Sequence, residues 1–385
     1  MTLLPWLRNR VSRNISMLKK LILLLLAAFL FGIASKAQVY THRYLDNDQL
    51  HVDVRATETP RQDVPMFKMD DTLAWGEMAP TVGLTQKPNS LNRREDPKQK
   101  NNISQLYFFT PPPGELPTRR FPQCVIIGFG KCGTRALLMF LSLHPNIAAQ
   151  MKEMHFYTVD NLFERGYEWY RNEMPVSYSN QITIEKSPDY VLSTKALNEI
   201  HNHFSNIKLI VLVRNPVDRL VSDYLQRYRL VNVNKRPPLT KMYLNRMTNR
   251  FDPNIDSVNH GVYHKHLAPW FKTFSRDLLL VLDNERLTKD PLRVIKKVET
   301  FLGLPHVLTK ENFYLNETWG FYCLRRFEPR ARPRCMTEFK GWKHPPLPEA
   351  DEMMLYSFYK PHNEALFKLI GEKFDWEKKK DFIEL

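Results

Sequence analysis

The sequence predicts an α/β fold: a mostly parallel central sheet flanked by helices in a P-loop-like arrangement, preceded by a transmembrane helix and a stem. Three observations carry this. From Phe121 onward, apolar runs of strand length alternate with helical patterns, the mark of a parallel sheet with helices on its faces. The stretch Cys124-Val-Ile-Ile-Gly-Phe-Gly-Lys-Cys-Gly-Thr-Arg-Ala-Leu-Leu138 reads as a buried strand, a glycine-rich turn holding a lysine, and a helix. A second junction, Ile210-Val-Leu-Val-Arg-Asn-Pro216, ends an apolar strand on arginine and opens a helix with proline.

The chain begins with Arg8, Arg10, Arg13, Lys19 and Lys20, followed by an uncharged apolar run from Leu21 to Ala34. Basic residues ahead of such a run keep that end cytosolic. Fourteen helical residues span about 21 Å against a hydrocarbon core of about 30 Å, so a crossing recruits flanking residues while the lysines snorkel. This gives a cytoplasmic tail at 1–18 and a signal-anchor at 19–35; a signal peptide cleaved near Ala37 is the alternative. Residues 36–120 are polar and proline-bearing without a sustained period, as in a flexible lumenal stem. Asn102 and Asn316 begin Asn-x-Ser/Thr tripeptides and become glycosylation acceptors if the chain is lumenal.

Within 121–385, strands are expected at 124–127, 181–184, 207–213 and 278–282. Helices are expected at 134–144, 217–230, 291–302 and within 361–370, with Pro291 as a start signal and Gly303 as a stop. Cys323 and Cys335 flank a basic segment, where a disulfide would pin a hairpin. Cys124 reads as core, and Cys132 sits in the glycine-rich turn either as packing or as a thiol of lowered pKa.

Charge narrows the function. Fifty-six Lys and Arg against 41 Asp and Glu leave a formal +15, which calls for an anionic partner. No cysteine or histidine spacing suggests zinc, no other metal site is legible, and no RNA-binding aromatic signature is present, so nucleic acid is not the expected partner.

The glycine-rich turn is an anion cradle: Gly128, Gly130 and Gly133 allow close backbone approach, and the helix start favours negative oxygens. Lys131 adds a charge, Thr134 a hydroxyl and Arg135 a planar fork of donors. The lysine precedes the last glycine, unlike a nucleoside-triphosphatase loop, so magnesium-dependent phosphoryl transfer loses ground. Arg214 at a strand end, with Ser222 two helical turns on, offers a second anion site where open α/β sheets bind ligands. Glu153 and His155 alternate along what reads as an extended stretch and would point the same way, as a general base and its partner.

From Cys124 to Trp376 the chain resembles the heparan sulfate glucosamine 3-O-sulfotransferases, within the sulfotransferase superfamily. The resemblance rests on the 126–138 turn, Leu141-Ser-Leu-His-Pro145, Glu153-Met-His-Phe156, Ile184-Glu-Lys-Ser-Pro188, Val213-Arg-Asn-Pro216, Ser222-Asp-Tyr224, Gly320-Phe-Tyr-Cys323 and Lys340-Gly-Trp-Lys-His-Pro345. It implies a type II Golgi membrane enzyme acting on heparan sulfate with 3′-phosphoadenosine 5′-phosphosulfate as donor and no required metal. Carried over, Lys131, Cys132, Gly133, Thr134 and Arg135 would cradle the 5′-phosphosulfate, and Arg214 and Ser222 the 3′-phosphate. Tyr322, Lys340, Gly341 and His344 resemble further donor contacts. Glu153 would be the base, beside His155, while Lys186, Gln226 and Arg334 would contact the sugar chain. Another glycan sulfotransferase, or a non-catalytic basic glycan-binding protein, would share these features.

Three positions depart from the family pattern. Gly130 stands where arginine is frequent, Trp342 replaces an arginine, and Thr158 stands where an acid usually follows the Glu-x-His motif. Asp160 is the sequence's candidate to supply that acid.

Overall fold

The computed structural model describes residues 109–326, 334–335 and 345–376. The expected tail, anchor, most of the stem, Asn102, Lys340, Gly341, Trp342 and His344 lie outside them. Among the described residues no helix is long and apolar enough to cross a membrane.

Five strands form the central sheet: β1 (Cys124–Gly128), β2 (Ile147–Ala149), β3 (Ile182–Lys186), β4 (Lys208–Val213) and β5 (Leu279–Asp283). Their order is β2-β3-β1-β4-β5, and every neighbouring pair is parallel. The longer helices are α1 (Thr134–Leu141), α2 (Thr194–His203), α3 (Pro216–Arg227), α4 (Tyr263–Thr273), α5 (Pro291–Leu302) and α6 (Glu349–Ile370). A hairpin, β6 (Phe313–Asn316) and β7 (Phe321–Leu324), stands apart from the sheet.

The apolar runs sit where two-sided burial requires them. All of β1 is buried, as is β4 beyond its first residue, each apolar side chain contributing about 1.5–3 kcal/mol. Capping follows the sequence signals. The Asn215 side chain accepts the Val217 amide, Pro216 opens α3, and Gly303 closes α5 in the left-handed conformation. Because β1 is the strand at which the order reverses, the loops leaving β1 and β4 open into the crevice where such sheets take ligands.

Several boundaries differ from the expectation. The extra helix α4 carries an internal Pro269 and two histidines, His264 and His266, which hide its period. Pro361 lies inside α6 rather than at its start, and the helix begins at Glu349. Strand β2 is only three residues at the sheet edge, too short for a pattern. Thr118–Arg119, assigned to the stem on composition, pair antiparallel with Val176–Ser177. A sulfur–sulfur bond joins Cys323 to Cys335, and Arg334 bridges back to Leu324 beside it.

Candidate active site

The loop after β1 owes its shape to close packing. A Cβ on Gly128 would stand 2.3 Å from Val191 Cγ1, and one on Gly133 would stand 2.1 Å from Asn284 Oδ1 with φ already at +85°. Gly130 is different, because a Cβ there meets nothing nearer than 3.8 Å. Lys131 itself adopts φ 71°, a conformation that costs a side-chain-bearing residue about 1–2 kcal/mol. Gly133 caps α1 without a side-chain hydrogen bond to the amides of its first turn.

Cys132 belongs to the core rather than to the cradle. Its thiol lies 3.5 Å from the Tyr263 hydroxyl, its amide closes the turn onto the Phe129 carbonyl, and burial pushes the thiol up to about 11. The low-pKa alternative is thereby overturned. Tyr263, which sequence reasoning missed, also donates to the Arg214 carbonyl at 2.8 Å and so ties the β1 loop to the end of β4. Nothing in its local sequence signals this, because the contact is made across the sheet from α4.

Lys131 Nζ donates to Gln226 Oε1 at 3.1 Å, bringing the loop lysine to α3. Ser222 lies one turn before Gln226 on that face. Asp223, adjacent to both, was not singled out from sequence. Burial would raise its carboxyl, but Arg219, Arg227, His260 and Lys131 together hold it below its ordinary value.

Arg214 leaves β4 with its Nε buried and lacking a hydrogen-bond partner, 3.8 Å from Glu285 Oε1. Burial and the neighbouring Asp283 push the Glu285 carboxyl up. The guanidinium therefore keeps a buried donor for which no acceptor is in place. The site therefore fits an anionic group, and the uncapped start of α1 fits another.

Glu153 follows β2 along the chain. Its Oε2 meets His155 Nε2 at 3.1 Å, and Lys186 Nζ bonds its Oε1. The pair does not arise from an extended strand as expected. His155 turns through φ 48°, and the Ser187 hydroxyl accepts the amides of Met154 and His155 at 3.0 Å each. Lys186 is only 1% exposed and Glu153 30%, so Glu153 presents the accessible face. Burial alone would raise its carboxyl, yet the His155 hydrogen bond and the Lys186 charge hold it at about 2. Burial lowers His155, but Glu153 and two further carboxylates raise it above its ordinary value. Burial pushes the Lys186 ammonium down, with Glu153 offsetting part of that. Such a group is an ionised carboxylate able to accept a proton.

Two more expectations can be placed. Asp160 is bonded to Lys195 at 2.9 Å with its side chain 86% exposed, so it does not supply the acid missing at Thr158. Tyr322 lies half-buried on β7, and Arg334 is exposed on the bridge beside it; both belong to the hairpin rather than to the loop.

Residues 121–345 match the sulfotransferase domain. Over 259 residues the chain is 40% identical to mouse (Mus musculus) heparan sulfate glucosamine 3-O-sulfotransferase 6, covering 67% of this chain and 75% of that protein. The chain belongs to the heparan sulfate glucosamine 3-O-sulfotransferases. The human (Homo sapiens) counterpart of the same relative is 41% identical, covering 67% of this chain and 74% of that protein. The crystal structure of a sulfotransferase from Alicyclobacillus acidocaldarius shares the fold, with a TM-score of 0.50 at 19% identity over 66% of this chain and 98% of its own. Within this 3-O-sulfotransferase, the described residues include no group of three or more His, Cys, Asp or Glu side chains that could hold a metal ion.

Proposed function

We propose that this chain transfers a sulfuryl group from 3′-phosphoadenosine 5′-phosphosulfate to the 3-hydroxyl of glucosamine residues in heparan sulfate. The observation that carries the reading is Glu153: an ionised, partly exposed carboxylate beside an anion loop whose lysine reaches across to α3. The named relatives support the acceptor.

When bound, the donor supplies the sulfuryl group and leaves as the 3′,5′-bisphosphate. Arg214 and Ser222 hold the 3′-phosphate, and the start of α1 with Thr134 and Arg135 holds the 5′ end. Glu153 takes the acceptor hydroxyl proton as that oxygen bonds to sulfur. Lys131, exchanging Gln226 for the ligand, holds the charge left on the departing oxygen. Such transfers need positioning and charge stabilisation more than covalent catalysis. Gln226 and Arg334 would contact the sugar chain, while Lys186 acts through Glu153 because its own ammonium is buried. Labelled donor should deposit sulfate on heparan sulfate, and an acceptor blocked at every glucosamine 3-hydroxyl should take up none; equal labelling of both would contradict the reading.

Arg214→Ala is expected to weaken 3′,5′-bisphosphate binding by calorimetry at least tenfold, since a charged hydrogen bond is worth about 1.5–3 kcal/mol. Unchanged affinity would remove Arg214 from the donor site.

We further infer that the catalytic part lies in the Golgi lumen, behind a single-pass type II anchor. The basic tail ahead of an apolar run supports this, as does the Cys323–Cys335 bond, which suits an oxidising compartment. Removal of N-glycans from the cell-expressed chain should raise its mobility, and the double change Asn102→Gln, Asn316→Gln should abolish that shift. A wild-type chain that never shifts would contradict lumenal placement.

A further inference from the structure

Thr118–Arg119 and Val176–Ser177 pair just ahead of β1 and β3, at the amino ends of those strands. The anion loop and Arg214 instead leave the carboxyl ends of β1 and β4. The five residues of β1, about 16 Å of extended chain, separate the two ends. Against the amino-end pair lies an open groove of about 750 Å³, whose lining includes Arg119, Arg120, Phe121, Arg171 and Val176. Among the described residues that lining holds three arginines and no carboxylate.

The arginines are positioned by their own neighbours, and none of them is used up. Arg119 Nη1 donates to the Met174 carbonyl. Arg120 donates to Glu115 at 2.7 Å and more weakly to the Ser177 carbonyl at 3.4 Å. Glu115 also accepts the Ser179 amide and hydroxyl, so its charge is shared. Arg171, on the short helix Gly166–Asn172, pairs with Glu168 and holds its guanidinium 5.9 Å from the centre of the Phe121 ring. Its Nε is buried without a hydrogen-bond partner among the described residues. A guanidinium offers five N–H donors, and Glu168 is 68% exposed, so an ion pair of that kind is worth only about 0–1 kcal/mol. A better anion can displace it.

The groove's shape and chemistry name the class of ligand. Forked guanidinium donors match sulfate and carboxylate groups through two parallel bonds. Val176, 45% exposed, and the partly buried Phe121 add an uncharged wall that suits the C–H face of a sugar ring. A phospholipid surface would present its phosphates in a plane, which a concave site does not meet.

We propose that this groove is a second binding site for heparan sulfate, taking the sulfate and carboxylate groups of a stretch of polymer that lies outside the catalytic cleft. The inference rests on the acceptor assigned above. A polymer held there keeps its remaining sugars near the cleft at high effective concentration. Long chains are thereby favoured over short ones with no change at the reacting atoms.

The test is the double change Arg119→Ala, Arg171→Ala in the full-length chain, read first as binding without donor. Affinity for long heparan sulfate should fall at least tenfold, since each charged hydrogen bond is worth about 1.5–3 kcal/mol. Affinity for a heparan sulfate tetrasaccharide, too short to reach around the sheet, and for the 3′,5′-bisphosphate should stay at the wild-type values. In turnover the same variant should raise KM for the long polymer and keep kcat. Val176→Glu, which sets an acid in the groove at an exposed position, should reproduce the loss and supplies the reading should the double variant fold poorly. Binding needs no transfer, so this result stands apart from the reaction proposed above. Unchanged polymer affinity in both variants, or an equal loss for polymer and tetrasaccharide, would overturn the second site. So would a loss confined to vesicles of anionic phospholipid, which would assign the groove to a membrane surface.

Discussion

Glu153→Gln is expected to lower turnover by roughly 10²–10⁴-fold, the usual worth of a general base, while 3′,5′-bisphosphate binding stays at the wild-type value. The amide keeps the shape, but its single oxygen can replace only one of the two carboxylate acceptors that meet Lys186 and His155. It cannot take a proton. The substitution also removes the counter-charge of a buried lysine, so the melting temperature must be followed alongside the rate. A folded Glu153→Gln chain with undiminished turnover would exclude this carboxylate as the base. The depression of Glu153 to about 2 has a second consequence. Its pairing stabilises the fold above its ordinary value of 4.5 and that contribution is lost as pH falls toward 2.

Lys131→Ala is expected to damage both donor binding and turnover, with kcat lower by about 10²–10³-fold as for removal of a charge-stabilising donor. The lysine is the loop's charge, and its left-handed backbone at φ 71° commits the loop to this path. Its present bond to Gln226 runs from the ammonium to an uncharged amide oxygen at 3.1 Å, a weaker partner than an anion would be. Gln226→Ala should therefore leave donor affinity far less affected than Lys131→Ala. A Lys131→Ala enzyme of normal kcat would show that the departing oxygen is stabilised elsewhere.

The sheet was legible because its strands are buried on both faces and read as continuous apolar runs, and β1 with its glycines left no other interpretation. Helix α4 was not, since a proline and two histidines obscure its period, and neither was the three-residue β2. At the site, Lys131, Arg214, Glu153 and His155 could be named from spacing at strand ends and from the family resemblance. The way Glu153 and His155 meet could not, because it depends on a left-handed turn at His155 and on Ser187 holding two amides from another strand. Lys186 was read as a sugar contact, yet its burial makes it a partner of Glu153 first. Asp160 looked suitable by proximity in sequence, yet its exposed carboxylate pairs with Lys195 instead.

The most direct measurement is disaccharide analysis of heparan sulfate after incubation with the purified chain and 3′-phosphoadenosine 5′-phosphosulfate. The account predicts new sulfate on glucosamine 3-hydroxyls, absent with Glu153→Gln. Sulfate appearing only at another position, or on nitrogen, would contradict the acceptor assignment, and a wild-type chain that binds the bisphosphate but transfers nothing would contradict the reaction itself.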